Sequence, residues 1–123
     1  MGKNKILIVD DEPDFVALLK KRLEANGYEV INASNGDEGL KMIKTDKPDV
    51  VLLDILMPKK DGYTMFQEMK DDESIDRTPV IVLTAKPYMK DLFAMEGIRD
   101  YLIKPVEDED LLLRIKMALK DKI

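Results

Sequence analysis

Val50-Val51-Leu52-Leu53-Asp54-Ile55-Leu56-Met57-Pro58 is an apolar run interrupted by a single carboxylate. Turn signals bound it, with Pro48-Asp49 before and Gly62 after. The run is apolar at successive positions rather than alternate ones, which predicts a strand buried on both faces of a parallel sheet. Asp54 then stands at the C-terminal edge of that strand, where open α/β sheets bind their ligands.

The rest of the chain supplies partners for this strand. Lys5-Ile6-Leu7-Ile8-Val9 predicts a second central strand, ending at Asp10-Asp11. Pro13 suits a first helical turn, and Phe15, Leu19 and Leu23, with Val16 and Leu18 beside them, recur at helical spacing until Asn26-Gly27. Tyr28 to Ala33 holds a short strand around Val30 and Ile31, and Asn35-Gly36-Asp37 turns into a helix through Leu40, Met42 and Ile43. Beyond Asp54, the polar loop Lys59-Lys60-Asp61-Gly62 leads to a helix with Met65, Phe66 and Met69 on one face. Asp71 to Thr78 reads as a solvated loop.

Pro79-Val80-Ile81-Val82-Leu83 predicts a fourth strand, ending at Thr84-Ala85. Pro87 restricts Lys86 to extended backbone, so the next helix starts near Tyr88, stops near Gly97 and is short. Asp100-Tyr101-Leu102-Ile103 is the fifth strand, ending at Lys104-Pro105, and Asp108 to Lys120 is a closing helix with Leu112, Ile115 and Leu119 inward.

Five β-α units with short connections predict an α/β fold: a five-stranded parallel sheet of order 2-1-3-4-5, doubly wound and flavodoxin-like, with five helices. Residues 1–123 form one domain, long enough to bury a core without staples. The switch point of such a sheet lies beside strands one and three. Asp10, Asp11 and Asp54 would meet there, with Thr84 and Lys104 arriving from strands four and five.

Composition narrows the chemistry. The chain has no cysteine and no histidine, which removes disulfides, the usual zinc sites and imidazole acid-base catalysis. A formal charge of −5 with intermixed signs argues against direct nucleic-acid binding. The longest apolar runs are too short to span a membrane and Met1 to Lys5 lacks a signal-peptide core, so the expected location is cytoplasmic.

Three carboxylates on one edge repel one another unless a cation sits among them, and Mg²⁺ suits oxygen ligands of this kind. Asp10-Asp11 can equally be a polar pair opening a helix, where negative charge suits the dipole. Asp54 is the candidate nucleophile, since a carboxylate can attack phosphorus to give an aspartyl phosphate; the other reading is a turn residue. Thr84 can hydrogen-bond a phosphoryl oxygen or simply end a strand. Lys104 can neutralise phosphoryl charge or be a solvated surface residue.

Ile6-Leu7-Ile8-Val9-Asp10-Asp11-Glu12, Leu53-Asp54-Ile55-Leu56-Met57-Pro58 with Asp61-Gly62, Leu83-Thr84-Ala85 and Asp100-Tyr101-Leu102-Ile103-Lys104-Pro105 together resemble the motif set of bacterial response-regulator receiver domains. The resemblance covers essentially the whole chain. It implies a phosphorylation-activated switch of two-component phosphorelay signalling, with Asp54 accepting a phosphoryl group from a sensor histidine kinase or phosphotransfer protein. By the same resemblance Asp11 is a direct Mg²⁺ ligand and Asp10 acts through water, with Asp54 and the Leu56 carbonyl completing the protein's share. Lys104 contacts the phosphoryl group, and its bond to Pro105 is expected to be cis. Thr84 and Tyr101 match the switch pair, in which the hydroxyl moves toward the phosphoryl group and the ring turns inward. The surface of helix four, strand five and helix five would then regulate a downstream output protein or domain.

The chain also departs from that pattern. Thr84 to Gly97 is shorter than the resemblance implies, Pro87 lies in the mobile loop, and Ile98 stands where a small residue is common. Leu56 and Lys86 match positions that tune phosphoryl lifetime. Asp100 and Arg114 match charges that pair across a dimer on phosphorylation, or form an ordinary ion pair. Exposed positions of helix one and the Pro105-Val106 loop are the expected kinase-docking sites. The resemblance implies that the domain catalyses its own phosphotransfer and dephosphorylation, with a role that is primarily regulatory. The alternatives are a Mg²⁺-dependent phosphohydrolase acting through Asp54, a nucleotide- or flavin-binding domain, and a phosphorylation-independent interaction module. The first is disfavoured by Leu56, where such enzymes often carry a second acid, and the second by carboxylates in place of a glycine-rich cradle.

Overall fold

The computed structural model describes residues 2–55, 61–75, 77–85, 87–98 and 100–121. In chain order these form β1 (Lys5–Val9), α1 (Pro13–Ala25), β2 (Glu29–Ala33), α2 (Gly36–Asp46), β3 (Val50–Leu53), α3 (Gly62–Asp71), β4 (Val80–Thr84), a 3₁₀ turn (Pro87–Met89), α4 (Lys90–Met95), β5 (Tyr101–Ile103) and α5 (Asp108–Asp121). All strand pairs are parallel, and the order is β2-β1-β3-β4-β5. The predicted α/β fold, a five-stranded sheet with five helices, is the observed one.

Local chemistry sets the helix boundaries. Pro13 opens α1, where its missing N–H costs nothing, and Gly27 ends it at φ 90°, a conformation that side chains resist. The Asn35 side chain accepts from the Glu38 N–H at 2.9 Å to cap α2, and Asp61 accepts from the Thr64 N–H at 2.8 Å to cap α3. The fourth helix is as short as Pro87 and Gly97 predict: a 3₁₀ turn, then six residues.

Successive residues of the central strands point to opposite faces, so the sheet builds two cores. Ile6, Ile8, Leu52 and Ile81 pack toward Leu19 and Leu23 of α1 and Leu111 and Ile115 of α5. Leu7, Val9, Leu53 and Val82 pack with Ile43 of α2, Met65 and Phe66 of α3, and Phe93 of α4. Two sequence expectations shift in detail. Leu18 is exposed rather than inward, and the buried row of α5 is Leu111, Ile115 and Ala118, with Leu112 and Leu119 only partly covered. No helix among the described residues is long and apolar enough to cross a membrane.

Candidate functional site

The C-terminal sheet edge is held by ladder bonds that continue one residue past each strand. The Asp10 N–H donates to the Ala33 carbonyl at 3.0 Å, the Asp54 N–H to the Val9 carbonyl at 2.9 Å and the Lys104 N–H to the Thr84 carbonyl at 2.8 Å. Thr84 is the last residue of β4. Four polar residues from four strand ends are thus fixed by backbone before any side chain acts. The Lys104–Pro105 bond is cis, as the resemblance implies.

Their side chains converge. Lys104 Nζ lies 2.7 Å from Asp10 Oδ2, 3.6 Å from Glu12 Oε1 and 3.7 Å from Asp54 Oδ2. The Glu12 N–H donates to Asp10 Oδ1 at 2.9 Å, and the Ile55 N–H to Asp54 Oδ1 at 2.8 Å. The Thr84 hydroxyl donates to the Asp54 carboxylate. Asp10, Asp54 and Thr84 are 4%, 6% and 1% exposed, which makes them the buried polar residues of the described chain.

Such burial is tolerable only because opposite charge and hydrogen bonds are shared out. Desolvation nevertheless leads at Asp54 and raises its pKa, with Asp10 adding to the rise, against the Thr84 hydroxyl, the Lys104 ammonium and the Ile55 N–H. At Lys104 desolvation pulls downward, but the Asp10 hydrogen bond and the charges of Asp10, Asp54 and Glu12 together outweigh it, and its pKa is raised. The lysine therefore stays charged, while burial makes the Asp54 carboxylate more basic than an exposed one.

Carboxylate oxygens of Asp10, Glu12 and Asp54 lie within 4.8 Å of one another, a spacing and donor set suited to a hard divalent cation. Glu12 was not among the sequence-predicted ligands, although it completes the acidic triplet after β1. Asp11 is exposed and stands outside this cluster. Leu56, expected to offer its carbonyl, and Lys86, expected to tune phosphoryl lifetime, lie outside the described residues.

The two residues expected to form a switch pair, Thr84 and Tyr101, are both buried. Thr84 engages Asp54, and Tyr101 is 7% exposed, its ring centroid 5.8 Å from that of Phe93. Phe93 in turn meets Tyr63 edge-on at 5.2 Å and Phe66 at 5.7 Å. Arg114 bonds Asp100 at 2.8 Å and Asp110 at 3.3 Å, so the charges expected to pair across a dimer pair here within one chain. Sequence reasoning also missed the use made of Phe15, which reads as an ordinary helix-core position but lies with its ring under Lys104.

Comparison with known proteins bears on the family to which the chain belongs. A family model described as the response regulator receiver domain matches residues 6–116. The chain is 39% identical over 122 residues to the probable transcriptional regulator ycf27 of Porphyridium aerugineum, covering 98% of this chain and 50% of that protein. It is 40% identical over 117 residues to protein PilH of Pseudomonas aeruginosa, covering 94% of this chain and 97% of PilH. The chain thus spans about half the length of the first relative and nearly all of the second. Among solved structures, the response regulator TrrA of Thermotoga maritima, in complex with Mg²⁺-BeF, superposes with a TM-score of 0.85 at 33% identity, covering 94% of this chain and 99% of that one. The match over most of the chain, on a sheet whose edge gathers Asp10, Asp54, Thr84 and Lys104, makes this chain a member of the response regulator receiver domain family of two-component signalling.

Proposed function

We propose that this receiver domain is a phosphorylation-controlled switch in which Asp54 is the phosphoacceptor. One observation carries the reading: a buried carboxylate at a strand end, hydrogen-bonded by Thr84, with a lysine ammonium 3.7 Å away. An Asp54 carboxylate oxygen attacks phosphorus of a kinase or phosphotransfer-protein phosphohistidine. The P–N bond breaks as the O–P bond forms, and the imidazole nitrogen leaves with the electron pair. Lys104 and the Thr84 hydroxyl meet the charge on the phosphoryl oxygens.

Receiver domains generally bind Mg²⁺ at their acidic pocket, and the oxygens gathered here fit it. Asp10 and Asp54 would hold the ion with Glu12 beside them, and Asp11 and the Leu56 carbonyl join on the family resemblance. When bound, the ion neutralises the carboxylates and the incoming phosphoryl oxygens.

Phosphorylation would act by population shift, favouring the arrangement with Thr84 on the phosphoryl group and Tyr101 inward. The readout surface would be α4, β5 and α5, where Leu92, Met95, Ile103, Leu113 and Met117 are exposed apolar residues. A downstream protein, an attached output domain or a second copy of the chain would bind there, in the cytoplasm.

The test is to incubate the protein with Mg²⁺ and acetyl phosphate and locate the adduct by mass spectrometry. One phosphoryl group on Asp54, absent from Asp54→Asn, is expected. A predominant adduct elsewhere, or none from either acetyl phosphate or a cognate kinase, overturns the reading.

A further inference from the structure

Lys104 Nζ sits 4.0 Å from the centroid of the Phe15 ring. The ring belongs to the first turn of α1 and packs, partly buried, against the core beneath the site. The Lys104 side chain is only 10% exposed, so the ammonium is held between three carboxylates and one aromatic face with little water. Poorly hydrated ammonium groups bind aromatic faces most strongly.

The two kinds of contact behave differently when the site is used. Asp10 and Asp54 are wanted by the divalent cation, and a bound dication both neutralises them and repels the ammonium. The ring carries no ionisable group and is not a ligand for a hard cation, so its attraction survives that exchange. Without it, Lys104 has a flexible four-carbon stem and strong reason to swing into water.

We infer that Phe15 is a positioning residue for phosphoryl transfer: its ring keeps the Lys104 ammonium at the site when Mg²⁺ takes over the carboxylates that otherwise hold it. The inference rests on the phosphoacceptor reading and names a residue that never touches the phosphoryl group. In the transfer itself, an Asp54 oxygen forms a bond to phosphorus as the acyl phosphate's P–O bond breaks and acetate leaves with the electron pair. Phe15 acts only through where Lys104 is when that occurs.

The test replaces Phe15 with a graded set of 4-fluoro-, 3,5-difluoro- and 3,4,5-trifluorophenylalanine, with Phe15→Trp and Phe15→Leu as the limits. Fluorination drains the ring face of negative potential while nearly keeping its shape, so a packing role would leave the series flat. The expected result is a stepwise slowing of Asp54 phosphorylation by acetyl phosphate, reaching roughly three- to tenfold in Phe15→Leu, with Phe15→Trp near the natural rate.

A second readout needs no turnover. The Lys104 ε-methylene proton resonances should be shifted upfield by the ring in the natural protein, keep that shift on adding Mg²⁺, and lose it in Phe15→Leu. A flat fluorination series, or a ring-induced shift that vanishes when Mg²⁺ is added, overturns the inference even if Asp54 is phosphorylated normally. Failure of the natural protein to form an Asp54 adduct overturns the phosphoacceptor reading instead, and the inference with it.

Discussion

Gly62 lies directly against the backbone of Asp54: a Cβ added at Gly62 would meet the Asp54 carbonyl oxygen at 2.2 Å and the Ile55 Cα at 2.8 Å. The Gly62 N–H also donates to the Ile55 carbonyl at 2.7 Å. The start of α3 is thus seated on the segment that carries the proposed phosphoacceptor, and only a residue without a side chain allows it.

Gly62→Ala should therefore destabilise the fold by about 2–3 kcal/mol and displace Asp54, because the obstructing atoms are backbone and cannot step aside. Gly39→Ala is the control. Its added Cβ meets the flexible Met65 Sδ and the Val9 Cγ2 at 3.1 Å, and the helix-propensity gain offsets part of that contact, so its effect should stay within about 1 kcal/mol. Urea unfolding of both variants, with acetyl phosphate labelling of each, measures the difference.

Lys104→Ala removes the cation from a buried acidic pocket. Without Mg²⁺ it should cost about 3 kcal/mol, since Asp10 and Asp54 are left without their shared partner. Mg²⁺ should still bind and recover part of that loss, whereas phosphoryl transfer and its propagation to the α4, β5 and α5 surface should fail. Thermal melts with and without Mg²⁺, beside a phosphorylation time course, check the two halves separately. Unchanged phosphotransfer and output would refute the assigned role of Lys104.

Phe93 is fully buried in a helix of six residues and is the ring on which Tyr101, Tyr63 and Phe66 converge. So short a helix has little stability of its own, so packing must hold it. Phe93→Ala should cost about 3–5 kcal/mol. It should also raise amide exchange in α4 more than in α1, as followed by hydrogen-exchange mass spectrometry.

Asp72, just past α3, is bonded by Lys44 of α2 at 2.7 Å, and this contact, followed by bonds from Ser74, lowers its pKa from 3.8 to about 2. Folding favours the ionised form, so the contribution to stability is complete above about pH 4 and is lost as pH falls toward 2. Both groups are solvated and salt will screen the pair. Carboxyl NMR titration should find the depressed value in the natural protein and a return toward 3.8 in Lys44→Met.

Much of this molecule was legible beforehand because its signals are local. Unbroken apolar runs ending in Asp10, Asp54, Thr84 and Lys104 mark buried parallel strands and what stands at their ends. Pro13, Gly27, Pro87 and Gly97 mark where helices start and stop through backbone geometry alone. A parallel sheet with short crossovers then leaves few possible strand orders, and the convergence of those four residues follows.

What a side chain does at the meeting point was not legible in the same way. Glu12 and Asp11 are adjacent acids, and nothing local says that the Glu12 carboxylate joins Asp10 and Asp54 while Asp11 faces solvent. Phe15 has the spacing of a core residue and is one; that its ring also lies under Lys104 depends on a residue 89 positions later in the chain. Arg114 could have served a second chain or its own, and its contacts to Asp100 and Asp110 are its own.

The sequence by itself determined the strands, the helix limits and the set of residues delivered to one edge, because periodicity and backbone constraints act over a few residues. Only the tertiary structure decided which carboxylates share Lys104, that Thr84 and Tyr101 both turn inward, and that α3 rests on Asp54 through Gly62. Those are contacts between segments far apart in the chain, settled by packing, desolvation and charge balance summed over the whole fold.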